Sequence, residues 1–503
     1  MNTSRPSGID QSQAPFFGAL LAYRDAGIIP FSTPGHKLGN GAPPELIDAI
    51  GMAALGLDIP NGGGVDDTHR TWGLQREAEA LAAGAWQADD AAFLVNGSST
   101  GNIAFLLAAC RPGEKVLVAR NLHTSLLSGL ILSGAQPVYL YPAVHPELNL
   151  TLDVSPQDVA SALSDHPDAR AVALISPSYT GVSSDLREIA RICRQRDVIL
   201  FVDEAWGPHF PFHGSLPPGA VQAGASAAVT SIHKLLAGLT QSSLMTFGGE
   251  LLGRDDVAPA VSLIETTSPS ALIAASIDAA RRQMALNGRA LLDRTIELAM
   301  TARRRLRSVP GIRVIDESVI SGRPGAGFDP TRVLLDVEDL GLTGFEAEAL
   351  LRKHARIGVE MSDLTGVIVH ITIGDSRESV EHLVRGFDWL ARTQSSARSS
   401  VVIDSQLRSS GSVIYSARPA ISPREAALGR SRAVPLQDAA GEISAEIITP
   451  YPPGIPVVAP GDVFSPECID YLEAARSSGM YISGPGDPFL ATVLVVSSDD
   501  KAG

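Results

Sequence analysis

Between Lys115 and Phe247 the chain alternates short apolar runs with stretches that read as helices. The runs Val116–Ala119, Pro137–Tyr141, Ala171–Ile175, Val198–Val202, Ala227–Thr230 and Leu244–Phe247 predict strands, most of them buried on both faces. Helices predicted at Thr124–Ser133, Ser155–Ser164 and Ser184–Gln195 separate most of them. With right-handed crossovers this is an α/β pattern with a mostly parallel sheet. Upstream, Ala14–Ala26 and Gln75–Ala85 read as helices, and the polar residues before them as a frayed terminus. Downstream, Ser276–Val309 reads as a long helix loosened near Asn287-Gly288. A smaller α/β domain follows, with strands around Val333–Leu335 and Val367–Thr372, then a polar linker at Arg392–Ser400. The expected division is an arm (1–40), a large domain (41–300), a small α/β domain (301–392) and a C-terminal appendage (401–503).

Composition narrows the function classes. The 503 residues are 45% apolar and 19% charged, a globular balance without internal repeats. A net charge of −15 argues against non-specific nucleic-acid binding and favours a cationic substrate, weakly at physiological salt. Three scattered cysteines suit neither a disulfide framework nor a zinc site, and a reducing cytoplasm is the simplest location. No apolar stretch has the length of a membrane span, and no leader precedes the early run Phe16–Tyr23.

Three strand ends carry candidate chemistry. The run Ala227–Thr230 leads into Ser231-Ile-His233-Lys234, a hydroxyl, an imidazole and an amine amid small and apolar residues. Burial disfavours an ammonium, so such a lysine becomes a nucleophile toward carbonyls. The run Val198–Val202 ends in Asp203, followed by Glu-Ala-Trp206-Gly-Pro-His209. A carboxylate at the carboxyl end of a parallel strand lies where open α/β sheets bind ligands, though a helix cap or ion pair uses the same residue type. Phe93-Leu-Val leads to Asn96-Gly-Ser-Ser99-Thr100-Gly-Asn102 and an apolar helix. Free N–H groups, a helix dipole and hydroxyls suit a phosphate there, as they suit a plain Ser/Thr cap. His209 and His213 are four apart, but Pro208 and Pro211 prevent the helix that would align them on a metal, and none is expected.

Together with Thr33-Pro-Gly-His-Lys-Leu-Gly39, Arg120-Asn-Leu-His-Thr-Ser125, Thr266-Thr-Ser-Pro-Ser270, Pro423-Arg-Glu425 and Ala445-Glu446 through Tyr451-Pro-Pro-Gly-Ile-Pro456, these stretches resemble one family over nearly the whole chain. It is the pyridoxal-phosphate-dependent ornithine/lysine/arginine decarboxylases of the aspartate-aminotransferase fold. The resemblance implies a fold-type-I pyridoxal phosphate enzyme in the short form, without the amino-terminal wing domain. The implied reaction is decarboxylation of a basic L-amino acid to its amine. Lys234 is then expected to hold pyridoxal 5'-phosphate as a Schiff base, and Asp203 to keep the ring nitrogen protonated. Ser99, Thr100, Ser231 and His233 are expected at the phosphate, His123 on the ring face, and Trp206 in the same cofactor set. His233 and the freed Lys234 both remain candidates for the reprotonating acid. Thr267 and Ser268 lie in the segment that, in the family, reaches the neighbouring subunit's cofactor phosphate, which implies a homodimer or higher homo-oligomer. Helix capping is the alternative for His123 and for Ser268-Pro269, and a domain-wrapping arm is the alternative for Thr33–Gly39.

Two departures from the family's pattern stand out: the first is given no role, and the second bears on substrate identity. Thr124 stands where many relatives carry lysine, and Asp58–Arg70 replaces the family's Glu-containing turn with a glycine run and Asp66-Asp67. Asp66, Asp67 and Glu446 are the candidate partners for a substrate's distal cation. The alternative reading is an aminotransferase or other pyridoxal lyase, whose carboxylate-binding arginine falls near Arg377 and Arg385. A non-catalytic pyridoxal-binding protein is a further alternative, against which the intact Lys234 and Asp203 argue.

Overall fold

The computed structural model describes residues 10–59, 73–148, 150–394, 417–451, 455–477 and 479–497. Asp66, Asp67 and most of the polar linker lie outside the described residues. Two compact units divide the chain: residues 1–108 with 199–292, and residues 109–198 with 293–503.

In the first unit four strands lie in the order Asp90–Leu94, Ser243–Phe247, Ala227–Ser231, Ile199–Asp203. Ile199–Asp203 and Ala227–Ser231 are parallel, with Asp203 opposite Val229, and the other pairs are antiparallel. Every residue of the last three strands is buried, as their nearly continuous apolar runs require. The helix Ser98–Ala109 packs on this layer, with Phe105 stacked on Phe201 at 4.0 Å between centroids. Gly101 permits that approach, since a Cβ there would lie 2.6 Å from Val229 Cγ2. The strand Asp90–Leu94 ends four residues before this helix begins, and the connecting turn is thereby fixed at both sides.

Two expectations are corrected in this unit. Residues 10–13 are held rather than frayed: the carbonyls of Gln11 and Gln13 accept from the buried Arg281 guanidinium at 2.9 and 2.5 Å. A fully buried cation needs such acceptors, and backbone carbonyls of a polar stretch supply them. The long helix runs unbroken from Ala271 to Leu306, through Asn287-Gly288. Phe212 packs there: a Cβ on Gly288 would lie 3.2 Å from Phe212 Cβ and 3.1 Å from Met284 Cε. The glycine makes room for a neighbour, at a helix penalty of about 1 kcal/mol.

In the second unit the strands Ala171–Ile175, Lys115–Ala119 and Gln136–Leu140 form a parallel layer. Ser155 and Asp158 make a capping box with Pro156 in the first turn, which starts the helix Pro156–Asp165. Leu186, Ile189, Ala190, Ile192 and Cys193 form the buried face of Leu186–Arg194. An antiparallel sheet, Met361–Ser362, Gly366–His370, Arg332–Asp336 and Arg313–Ile315, shares a core with Phe387, Leu390 and Leu306. The C-terminal residues build a separate core around Phe464, Tyr471 and Leu472, against which Tyr141 and Tyr179 pack. Arg120, fully buried at the end of Lys115–Ala119, pairs with buried Asp462 at 3.0 Å and donates to the Pro456 carbonyl at 2.6 Å. That pair ties the C-terminal core to the parallel layer.

Candidate active site

The first unit gathers nearly all the residues that the sequence singles out. Asp203 closes its strand with a buried carboxylate whose two oxygens are both engaged: Oδ2 accepts from Asn102 Nδ2 at 2.7 Å and Oδ1 from the Ala205 N–H at 3.0 Å. Donors of this kind hold a buried carboxylate in one orientation. Asn102 is wholly buried in the helix that begins at Ser98. It belongs to the site although no role had been read for it. Its detectable signal is an amide side chain inside an otherwise apolar helix, which burial makes expensive unless it has a partner.

Beside it lies the hydroxyl turn. Ser231 Oγ donates to Ser98 Oγ at 3.1 Å, so the end of one strand meets the start of the helix Ser98–Ala109. Thr100 is buried in the first turn of that helix, and Ser99 is half-buried next to it. Ser98 is the second residue that the sequence reading missed; its signal is its place among five consecutive small hydroxyl or glycine residues, Gly97 to Gly101. A hydroxyl-rich turn at the positive end of a twelve-residue helix suits a phosphate group, although the Gly97 and Thr100 N–H groups are bonded to the carbonyls of Gln241 and Gly97.

Lys234 sits in the short helix Ile232–Leu235 that caps the strand ending at Ser231. Its Nζ lies 3.8 Å from the centroid of the Trp206 ring, over the face, the geometry of a cation–π contact. His233 has Nδ1 2.9 Å from the Ser242 carbonyl, so in the neutral ring Nδ1 carries the proton and donates it. Burial, followed by the nearby Lys234 charge, lowers the His233 pKa from its ordinary value despite that hydrogen bond. Glu204, next to Asp203, is wholly buried, accepts from the Ala220 N–H at 2.8 Å, and has its pKa pushed well up by burial. The first unit thus holds an amine over the Trp206 ring, a fixed carboxylate at the end of the neighbouring strand, and a hydroxyl turn that touches the lysine's own strand through Ser231 and Ser98. The set has the chemistry to hold a phosphorylated aldehyde with a basic ring nitrogen.

Thr267 and Ser268 are exposed, in the segment after the helix Arg254–Ile264. There Thr266 Oγ1 accepts from the Ser268 N–H at 3.2 Å. His123 belongs to the second unit. It caps the helix Thr124–Ser133, its Nδ1 accepting from the Ser125 N–H at 3.2 Å, and its ring is exposed. Glu446, also in the second unit, is buried with its carboxylate accepting from the N–H groups of Gly486 and Leu494 at 2.7 and 2.8 Å. Arg377 and Arg385 lie on exposed faces of the helix Arg377–Gln394, opposite Glu297 and Glu381, rather than in a site. In the Thr33–Gly39 segment His36 Nδ1 accepts from the Gly39 N–H at 3.1 Å and Lys37 Nζ donates to the Ser32 carbonyl, while His36 Nε2 lies 3.1 Å from Asp58 Oδ2.

Comparison with known proteins gives a consistent result. Residues 14–379 match the Orn/Lys/Arg decarboxylase major domain, and residues 406–486 match the C-terminal domain of the same enzymes. The chain is 37% identical to the arginine decarboxylase of Halalkalibacterium halodurans over 97% of its own length and 99% of that protein's. It is 36% identical to the arginine decarboxylase of Bacillus subtilis over 97% and 99%. Among solved structures, the lysine decarboxylase of Francisella novicida superposes with a TM-score of 0.83 at 20% identity, covering 96% of this chain and 81% of that one. The constitutive lysine decarboxylase of Escherichia coli gives 0.82 at 21%, over 97% and 82%. The fold-type-I architecture expected from the sequence is therefore the one observed.

Proposed function

The chain belongs to the Orn/Lys/Arg decarboxylase family and decarboxylates a basic amino acid, and from that premise we propose that its cofactor is pyridoxal 5'-phosphate, held by Lys234, and that its substrate is L-arginine. The observation that carries the cofactor reading is the buried Asn102–Asp203 pair at a strand end, one strand from the lysine. A carboxylate fixed by two donors still has lone pairs to accept a ring N–H, and it favours the protonated ring nitrogen. When bound, pyridoxal phosphate supplies an electron sink for the pair left as carbon dioxide departs.

The chain's own residues have distinct tasks. Lys234 Nζ supplies the amine that holds the aldehyde, and Trp206 offers its ring face to the ammonium whenever that amine is released and protonated. Asp203 keeps the proton on the ring nitrogen. Ser98, Ser99, Thr100 and Ser231 present hydroxyl and N–H donors to the phosphate. His233, with Nδ1 committed to the Ser242 carbonyl, has Nε2 as the atom that takes up or delivers a proton. His123 is assigned to the ring face, on the strength of the family resemblance. The exposed Arg377 and Arg385 speak against a carboxylate clamp of the transaminase kind, which would stabilise the charge that decarboxylation must lose.

Arginine is favoured over lysine and ornithine by the near-full-length relatives named arginine decarboxylase. A second copy of the chain is the partner proposed, supported by the exposed Thr267 and Ser268 and by exposed Ile29, Phe31 and Leu263 in the same unit. No helix among the described residues is long and apolar enough to cross a membrane, and the three cysteines are buried thiols, which supports a reducing cytoplasm. The test is spectroscopic: the protein loaded with pyridoxal phosphate should show an imine band that Lys234→Ala lacks. An unchanged band in that variant rejects the assignment.

A further inference from the structure

Among the described residues the strand Asp90–Leu94 is the outermost of its layer, so alternate N–H groups on its open edge face no neighbouring strand there. Two carboxylates occupy that edge. Glu79 Oε1 accepts the Phe93 N–H at 3.1 Å, and Glu265 Oε1 accepts the Val95 N–H at 3.2 Å. Both carboxylates are tied to one helix, Arg254–Ile264. Glu79 Oε2 pairs with Arg254, the first residue of that helix, at 2.7 Å, with Glu79 only 1% exposed. Glu265 is the residue that directly follows its last turn. The helix is therefore pinned at both ends to the strand that leads into the hydroxyl turn.

The positions of the second pin matter most. Val95 is the residue immediately before the Asn96–Thr100 turn, and Glu265 is the residue immediately before Thr266, Thr267 and Ser268, all exposed. The Val95–Glu265 hydrogen bond thus joins the segment that leads into this chain's own hydroxyl turn to the segment that faces outward. The Arg254–Glu79 pair holds the far end of the same helix.

We propose that Glu265 is a positioning residue that acts on two cofactor sites at once: its own subunit's phosphate turn, through Val95, and its partner's phosphate, through Thr267 and Ser268. This rests on the dimer reading given above and on the family resemblance, which implies that Thr267 and Ser268 reach the partner's phosphate. A displacement of either segment is passed to the other through the Glu265 carboxylate, and the coupling is reciprocal, as any linkage between two binding sites must be.

The test uses hybrid dimers of full-length chains carrying two different tags, with the imine band as the reading of cofactor binding. That band arises only at a site that has Lys234. The reference hybrid pairs a wild-type subunit with Lys234→Ala. The test hybrid pairs a wild-type subunit with Lys234→Ala/Glu265→Ala, so the one imine-forming site keeps its own turn intact and receives only an altered segment from the partner. The expected result is a pyridoxal phosphate affinity roughly tenfold weaker in the test hybrid, the scale of one lost hydrogen bond to a charged group. Replacing Glu265→Ala by Glu265→Gln in the same subunit should restore most of it, because the amide oxygen still accepts the Val95 N–H. A role confined to the subunit's own fold leaves the two hybrids equal, and equality overturns the proposal. Sedimentation of the wild-type chain as a monomer, read before any titration, overturns the dimer reading itself and the coupling with it.

Discussion

Asp203 and Glu204 are adjacent carboxylates with opposite fates. Asp203 is turned to Asn102 and the Ala205 N–H, whereas Glu204 is wholly buried on a single N–H from Ala220. Asp203→Asn should keep the imine band but lose on the order of a thousandfold in turnover, about 4 kcal/mol; near-normal turnover would contradict its role at the ring nitrogen. Glu204 makes a different prediction. Burial raises its pKa well above the ordinary carboxylate value in the folded chain. The native state therefore keeps a proton that the unfolded chain gives up. Its contribution to stability is fully present below the unfolded pKa and is lost as pH rises toward the folded one. Glu204→Gln imitates the neutral acid and should raise Tm at pH 7 by a few degrees, about 2–4 °C, while changing little near pH 4. Thermal scans at the two pH values check this, and a variant destabilised at both refutes the neutral-acid account.

At the scale of elements, the strand ends were legible and the supports behind them were not. Ile199–Asp203 and Ala227–Ser231 stand within a residue of where the apolar runs place them, because buried parallel strands leave an unbroken apolar signature. Asn102, Ser98 and Glu265 escaped because their partners lie 101, 133 and 170 residues away, a separation that no local pattern carries. The same holds for Arg120 and Asp462, whose pairing spans 342 residues. That pair yields its own prediction. Asp462→Asn removes one charge and leaves the other buried, which should cost about 3–5 kcal/mol of stability. The double change Arg120→Met/Asp462→Leu should be less damaging than the single one in denaturant unfolding. If the double variant is the worse of the two, the pair is valued for more than charge balance. The Asn287-Gly288 expectation failed for a related reason: helix propensity saw a breaker, whereas Phe212 needed the space.

For the whole molecule, family and reaction were within reach of the sequence, since the motifs are spread over nearly the full chain and their chemistry is interdependent. Substrate choice was not. Asp66 and Asp67 lie outside the described residues, and Glu446 has both carboxylate oxygens committed to backbone N–H groups. Discrimination among arginine, lysine and ornithine depends on how a cationic tail of a given length meets an acceptor, and a spacing of residues along the chain does not encode that distance. The most direct measurement is therefore product analysis on the purified protein loaded with pyridoxal phosphate and offered L-arginine, L-lysine and L-ornithine separately, with Lys234→Ala as the blank. The account predicts carbon dioxide and agmatine from arginine at a kcat/KM at least about tenfold above the other two, roughly 1.4 kcal/mol of discrimination, and no amine from the blank. Amine from lysine or ornithine in preference would overturn the substrate. No amine from any of the three, or an undiminished yield from Lys234→Ala, would contradict the account at its centre.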